Sequence, residues 1–381
     1  MDFTIAPEAQ RLVDTAAGFE DRLISEARDR EAAGTIGADL TREMGRAGLI
    51  APELDRDLGG GGLTKVTAGL ITEAVARGDL TVAYLQVVGS LLGQLIARNA
   101  APEVAAHYCG LITSGEGTVA IGLSEPGAGS DAGNPSVTAR RDGDDWIVNG
   151  TKSMSFAMTA DATVIFARTD PEAGRGKGIS AFLIDLDSPG VTRTGITDMG
   201  QAAVARGLVD FTDVRVPAAH RLGDEGAAFT QVMQGFDFSR ALIGLQCVGT
   251  ATRAIEDTWE HVKNREAFDR PLSTFQGVSF PLAEAETKLA AARLLCLNTL
   301  WLGDEDLPHT SQAAMCKWWA PLESYHAIHQ CLLLHGQIGY MTGKDVEKRL
   351  RDVLGMQIGD GTAQIMKLVI ARQSAGRAYA P

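Results

Sequence analysis

Positive charge is in short supply along this 381-residue chain: 35 lysines and arginines face 48 acids, a net charge of −13. That balance argues against a nucleic-acid backbone or an anionic membrane surface as the main partner. Cysteine is sparse as well. Cys109, Cys247, Cys296, Cys316 and Cys331 are scattered, odd in number and never form a Cys-x-x-Cys pair. This usage excludes a disulfide framework or a zinc site and fits reduced thiols, so a cytoplasmic location is expected. No apolar stretch approaches the roughly 20 residues that span a bilayer. The start, "MDFTIAPEAQRL", has no basic region ahead of an apolar core, so no secretory signal is expected. His326 and His329 stand one helical turn apart in "HAIH", but few acids lie near them, so no metal site is expected. Repeats and low-complexity tracts are absent.

What is there is an ordinary globular composition, 45% hydrophobic and 22% charged, in a chain long enough for two or three domains. Residues 1–117 read as helices, among them the amphipathic "EAQRLVDTAAGFEDRLISEARDREA" and the largely apolar "YLQVVGSLLGQL". Over 118–225 the pattern changes to short β-rich runs separated by Gly, Pro and Asp turns, with "RRDGDDWIVNG" a hairpin signal. Over 226–381 helical spacing returns. The expectation is a mostly α protein with a β domain between two helical ones.

Near the end, "IGDGTAQIMKLVIAR" sets one carboxylate, Asp360, between two glycines and just before a helix-like run. The glycines would let the backbone there approach a ligand closely. An acidic loop that merely caps the helix explains the same letters.

With these segments placed, the chain resembles the acyl-CoA dehydrogenase family over nearly its whole length. "IGLSEPGAGSD" (121–131) is similar to the family's flavin-contacting signature, and "REAFDRPLSTFQ" (265–276) to its cofactor segment. "GFDFSR" (235–240) is similar to its acyl-CoA contact, and "GDGT" (359–362) to the loop that carries its base. The resemblance implies that fold: an N-terminal helical domain, a middle β barrel or sandwich and a C-terminal four-helix bundle. It implies FAD, with Leu123 and Ser124 at the flavin ring and Gly129 and Ser130 at the pyrophosphate. Arg265, Phe268 and Gln276 would reach the FAD of a neighbouring subunit, which requires a homo-oligomer, expected to be a tetramer. Gly336, Thr362 and Gln364 complete the implied cofactor set. Phe236, Asp237, Arg240 and Gly361 would hold the acyl-CoA, and "VEKRLRDV" would be structural.

The resemblance further implies that Asp360 removes the α-proton of an acyl thioester while flavin N5 takes the β-hydride. Some members carry their glutamate immediately before the arginine of the acyl-CoA contact. Here that position is Ser239, which cannot deprotonate a carbon acid. Electrons would pass to an electron-transfer flavoprotein.

Three departures refine the expectation. The usual glutamate of the base loop is Asp360 and the aromatic before it is Gly359. Both changes make room near the α-carbon and favour an alicyclic or α-branched acyl group. "GTKSMSFAMTAD" runs one residue short, with Met154 where an aromatic is usual and Ser155 as candidate for a hydroxyl near N5. "LLLHGQIGY" keeps Gly336 and Gly339 but has Leu333 and Gln337 at positions that are commonly Gln and Gly. The helix Tyr84–Leu95 should roof the acyl group and contains no acid, so a single base and α,β-dehydrogenation of a saturated thioester are expected. An acyl-carrier-protein thioester, nitroalkane-oxidase-like chemistry and an inactive flavin-binding scaffold stay open.

Overall fold

The structure, a computed structural model, describes residues 5–376 and 378. Its N-terminal part is helical: α1 Pro7–Ala17, α2 Glu20–Ser25, α3 Ala27–Ala33, α4 Ala38–Arg46, α5 Lys65–Gly78, α6 Leu80–Asn99 and α7 Pro102–Ser114. The amphipathic stretch expected near the start is thus three short helices, interrupted at Gly18 and Glu26. The last is closed by Gly34 in the left-handed conformation, a common glycine stop.

α6 corrects the expectation about apolar runs. It is long and apolar enough to cross a membrane, yet nearly all of it is buried inside the protein, so its hydropathy is that of a core helix. Asp79 begins it by accepting from the Thr81 N–H at 2.9 Å.

The middle of the chain forms a sheet: β1 Val119–Gly122, β2 Thr138–Asp142, β3 Asp145–Met154, β4 Ala162–Arg168, β5 Ile179–Asp185, β6 Val191–Gly195, β7 Gly207–Val216 and β8 Arg221–Leu222. The order is β6-β7-β3-β2-β4-β5-β8, with β1 parallel to β4 at the side. β4 and β5 are buried almost throughout, so their sequences read as continuous apolar runs. The hairpin signal is the β2/β3 turn, where Asp142 pairs with Asp145 and Gly143 takes a φ of +66°.

The C-terminal part is again helical: α8 Ala228–Asn264, then the small hairpin β9 Glu266–Ala267 and β10 Arg270–Pro271, then α9 Gln276–Asp304, α10 Thr310–His335, α11 Gln337–Tyr340, α12 Asp345–Gly355 and α13 Ala363–Ala375. α8, α9 and α10 pack on one another, and α5 and α6 pack on α8. One hydrophobic core therefore runs from the first helices through the sheet to the last bundle. All five cysteines are free and buried.

Candidate active site

The Asp360 loop joins α12 to α13, and its shape is set by backbone conformation. Asp360 itself has φ +54° and Gly361 φ +102°. The conformation calls for glycine at 361, and a Cβ there would also press 2.5 Å from Met366 Cε, at the flexible end of that side chain. Gly359 is different. Its φ is not left-handed, and a Cβ there would meet nothing within 4 Å. The helix after the loop is capped by Thr362, whose hydroxyl accepts from the Ile365 N–H at 3.4 Å. The capping task therefore belongs to Thr362, and Asp360 is left for something else.

Asp360 is partly buried. Burial holds its carboxyl above the ordinary range, against the pull of two cations, Lys317 and Arg240. Both act through space, without a hydrogen bond to the carboxylate. Among the described residues, no main-chain hydrogen bond engages the Asp360 N–H either.

Arg240 is held from below. Asp237 accepts from its Nη1 at 2.9 Å, and Thr310 Oγ1 donates to the other Asp237 oxygen at 2.5 Å. The guanidinium lies 5.7 Å from the centre of the Phe236 ring, and Arg240 Nε is buried without a partner. Phe236, Asp237 and Arg240 are all buried on α8. Ser239, between them, turns its hydroxyl back to the Phe236 carbonyl at 3.3 Å and is fully buried, so it faces the core.

From α6 comes Tyr84, stacked on Phe156 at 6.0 Å. Burial and the nearby Asp360 charge raise its phenol, and Ser155 lies within hydrogen-bonding reach of it. Asp360, Gly361, Thr362, Arg240, Ser155 and Tyr84 thus converge on one region. Met154 is buried beside Thr163, its sulfur 3.4 Å from the hydroxyl.

The loop after β1 is anchored by residues that sequence reasoning passed over. Glu125 is buried and binds Lys152 Nζ at 2.8 Å and the Val137 N–H at 3.1 Å. Burial alone would push Glu125 up, but Lys152 and Ser136 outweigh it and the carboxyl sits low. Lys152 also donates to the Leu123 carbonyl at 3.3 Å. This pair leaves Ser124, Gly127, Gly129 and Ser130 exposed, and a Cβ on Gly127 or Gly129 would meet nothing within 4 Å. An open edge of small residues on a rigid support fits the approach of a flavin and its pyrophosphate.

Other expected cofactor residues are not drawn into the Asp360 cluster. Arg265 closes α8, Gln276 opens α9 and Gly336 ends α10 with φ +59°, all exposed. Phe268 is 88% exposed at the tip of the β9/β10 hairpin, and Gln364 is exposed on the first turn of α13. "VEKRLRDV" lies on α12, where Lys348 and Asp352 pair at 2.6 Å. His326 and His329 flank Tyr325, and no group of three or more potential metal ligands occurs among the described residues.

A helical domain, a β domain and a helical bundle thus meet around a partly buried acid and an open glycine-rich edge. The chain belongs to the acyl-CoA dehydrogenase family. It matches that family's N-terminal domain over residues 6–116, its middle domain over 120–214 and its C-terminal domain over 226–375. The chain is 38% identical over 261 residues to the rat mitochondrial short-chain specific acyl-CoA dehydrogenase, spanning 68% of this chain and 63% of the rat protein. It is 34% identical over 290 residues to the caffeyl-CoA reductase-Etf complex subunit CarC of Acetobacterium woodii, 76% of each chain. The butyryl-CoA dehydrogenase structure from Megasphaera elsdenii superposes with a TM-score of 0.94 at 28% identity, covering 98% of this chain and all of that one. FAD is the cofactor of this family.

Proposed function

We propose that the protein is an FAD-dependent dehydrogenase of an acyl-CoA thioester, alicyclic or α-branched in its acyl part, with Asp360 as the base. The observation that carries this reading is the state of Asp360. A carboxyl raised by burial, attracted to two cations and hydrogen-bonded to neither, is poised to accept a proton. Bound FAD supplies the acceptor for the β-hydride. The chain's own work is to place the substrate's α-carbon at the Asp360 carboxylate and to stabilise charge on the thioester oxygen. The free Asp360 N–H is a suitable donor for that oxygen, and Arg240 with its unpartnered Nε adds positive charge beside the site.

Gly359 supports the substrate class. Its glycine is not demanded by the backbone, and the space beside it is open. That room, with the shorter reach of aspartate, suits a ring or branch at the α-carbon. α6 supports a single base: it contains no acid between Tyr84 and Leu95. An acid does reach α6 from outside, since Glu53 accepts from Ser90 Oγ at 3.1 Å. Ser90, however, stands about a third of a turn from the line of Tyr84 and Leu91. The expected product is therefore the α,β-unsaturated thioester.

The exposed Arg265, Phe268, Gln276 and Gly336 support a cofactor shared across a subunit boundary, hence a homotetramer. The relative named as a subunit of a reductase–Etf complex supports an electron-transfer flavoprotein as acceptor. The five free cysteines fit a cytoplasmic setting, and three domains divided at 117/118 and 225/226 complete the reading. The test is a bleaching screen of FAD-loaded protein against linear, branched and alicyclic acyl-CoAs, with products identified by mass and NMR. Preferential bleaching by saturated cyclic or α-branched thioesters supports the reading. Bleaching by none of them, or conversion of a 1-ene to a conjugated diene, overturns it.

A further inference from the structure

Lys317 lies in the middle of α10, only 1% exposed, inside the stretch "AAMCKWWAP". A buried ammonium is costly unless it is met by hydrogen bonds. Its Nζ donates to the Met356 carbonyl at 2.7 Å and to the Gly361 carbonyl at 3.2 Å. Those two carbonyls bracket the Asp360 loop, one just after α12 and one immediately after the acid. We propose that Lys317 is a positioning residue for the base: by holding both ends of this loop it keeps Asp360 in its left-handed conformation and its carboxylate at the reacting carbon. The inference rests on the reading of Asp360 as base.

The geometry makes the case. A non-glycine residue at φ +54° is disfavoured and persists only where its surroundings impose it. Here the loop is fastened at both sides of the strained residue by one cation, which reaches across 39 and 44 residues of sequence. The charge has a second consequence. Lys317 attracts the Asp360 carboxylate and so opposes the effect of burial on it. The titratable groups facing Lys317 are Asp360 from the loop and Cys247 and Arg240 from α8. Burial pushes the Cys247 thiol up to about 12, so it stays neutral, and it pushes Lys317 down to about 8.

Two variants separate hydrogen bonding from charge. Lys317→Met removes both, and Lys317→Gln keeps a donor while losing the charge. The base must be ionised to act, so the rate of flavin reduction falls on the acid side of its pH profile. Without the Lys317 charge the ionised form is less favoured, and that acid limb should move upward by about one pH unit in both variants. Reduction at the optimum should fall about 100-fold in Lys317→Met and less in Lys317→Gln. Substrate-free holoprotein should show faster amide exchange over residues 357–361 in Lys317→Met than in the parent. A merely structural lysine would lower rates without moving the limb. An unmoved limb, or unchanged exchange in a folded FAD-loaded variant, overturns the proposal. If Lys317→Met does not fold, the limb of Lys317→Gln decides. Asp360→Asn in parallel keeps the two readings apart. Fast flavin reduction in that variant sinks the base assignment, whereas the exchange data still test the loop clamp.

Discussion

Two of the charge clusters among the described residues, around the buried Asp79 and the partly buried Asp360, are built on opposite principles. Around Asp79, at the junction of α5 and α6, every group is met. Its carboxylate receives Arg30 at 2.8 and 3.0 Å, the Thr81 hydroxyl at 2.6 Å and the Thr81 N–H at 2.9 Å, with Lys348 at 3.5 Å. Burial would raise Asp79, but Lys348 and Arg30 outweigh it and the carboxyl stays low. Around Asp360, burial wins over Lys317 and Arg240, because neither cation touches the acid. A saturated carboxylate holds helices together. An unsaturated one, such as Asp360, is what the proposed base requires.

The contrast can be broken first at Asp360. Asp360→Asn keeps the volume and removes the proposed base, so stopped-flow flavin reduction should slow by at least about a thousandfold, roughly 4 kcal/mol. FAD content and melting temperature should stay near the parent's. Asp79→Ala should do the reverse. It leaves Arg30 and Lys348 without their shared acid, so unfolding stability should fall by about 3–5 kcal/mol. The properly folded fraction should still reduce its flavin at the parent rate. A large loss of rate in that fraction, or little loss of stability, would erase the distinction.

Glu53 sharpens the comparison from between the two. It is buried, with one oxygen met by Ser90 and the other without a partner, and burial raises it to about 7. A raised acid stabilises the fold fully below its unfolded value near 4.5, and that contribution is lost as pH climbs through 7. The whole effect is about 3 kcal/mol. Glu53→Gln should therefore gain stability relative to the parent between pH 4.5 and 8, followed by chemical unfolding at saturating FAD. A flat difference would mean that Glu53 is better partnered than its surroundings indicate.

The smallest expected effect is at Gly359. Because its backbone is not left-handed and its surroundings are open, Gly359→Tyr should fold normally. It should cut kcat/KM for an alicyclic thioester by about tenfold relative to a linear one. An unchanged ratio would show that the space beside Gly359 does not receive the acyl group.

Much of this was legible in the letters. The change from helical spacing to short strands and back is local, because a helix or strand writes its period into the residues that bury one face. The Asp360 loop was legible for a similar reason, since glycine marks the places where backbone must take conformations that other residues resist. Asp237 and Arg240, expected by resemblance at the acyl-CoA, lie three apart on one helix and pair with each other there. Some readings needed correction by packing: α6 passes for a membrane span by composition and is a core helix only because its neighbours enclose it. Other groups carried no local sign at all. Lys317 sits 43 residues before Asp360, and Lys152 meets Glu125 across 27. Tyr84 reaches Ser155 and Asp360 from another domain. Which buried lysine faces which acid depends on how helices and sheet are brought together. That is long-range packing, and no window of sequence contains it. The sequence by itself determined the elements and the candidate acid. Only the tertiary structure decided which charges would be satisfied and which would be left without a hydrogen-bonded partner.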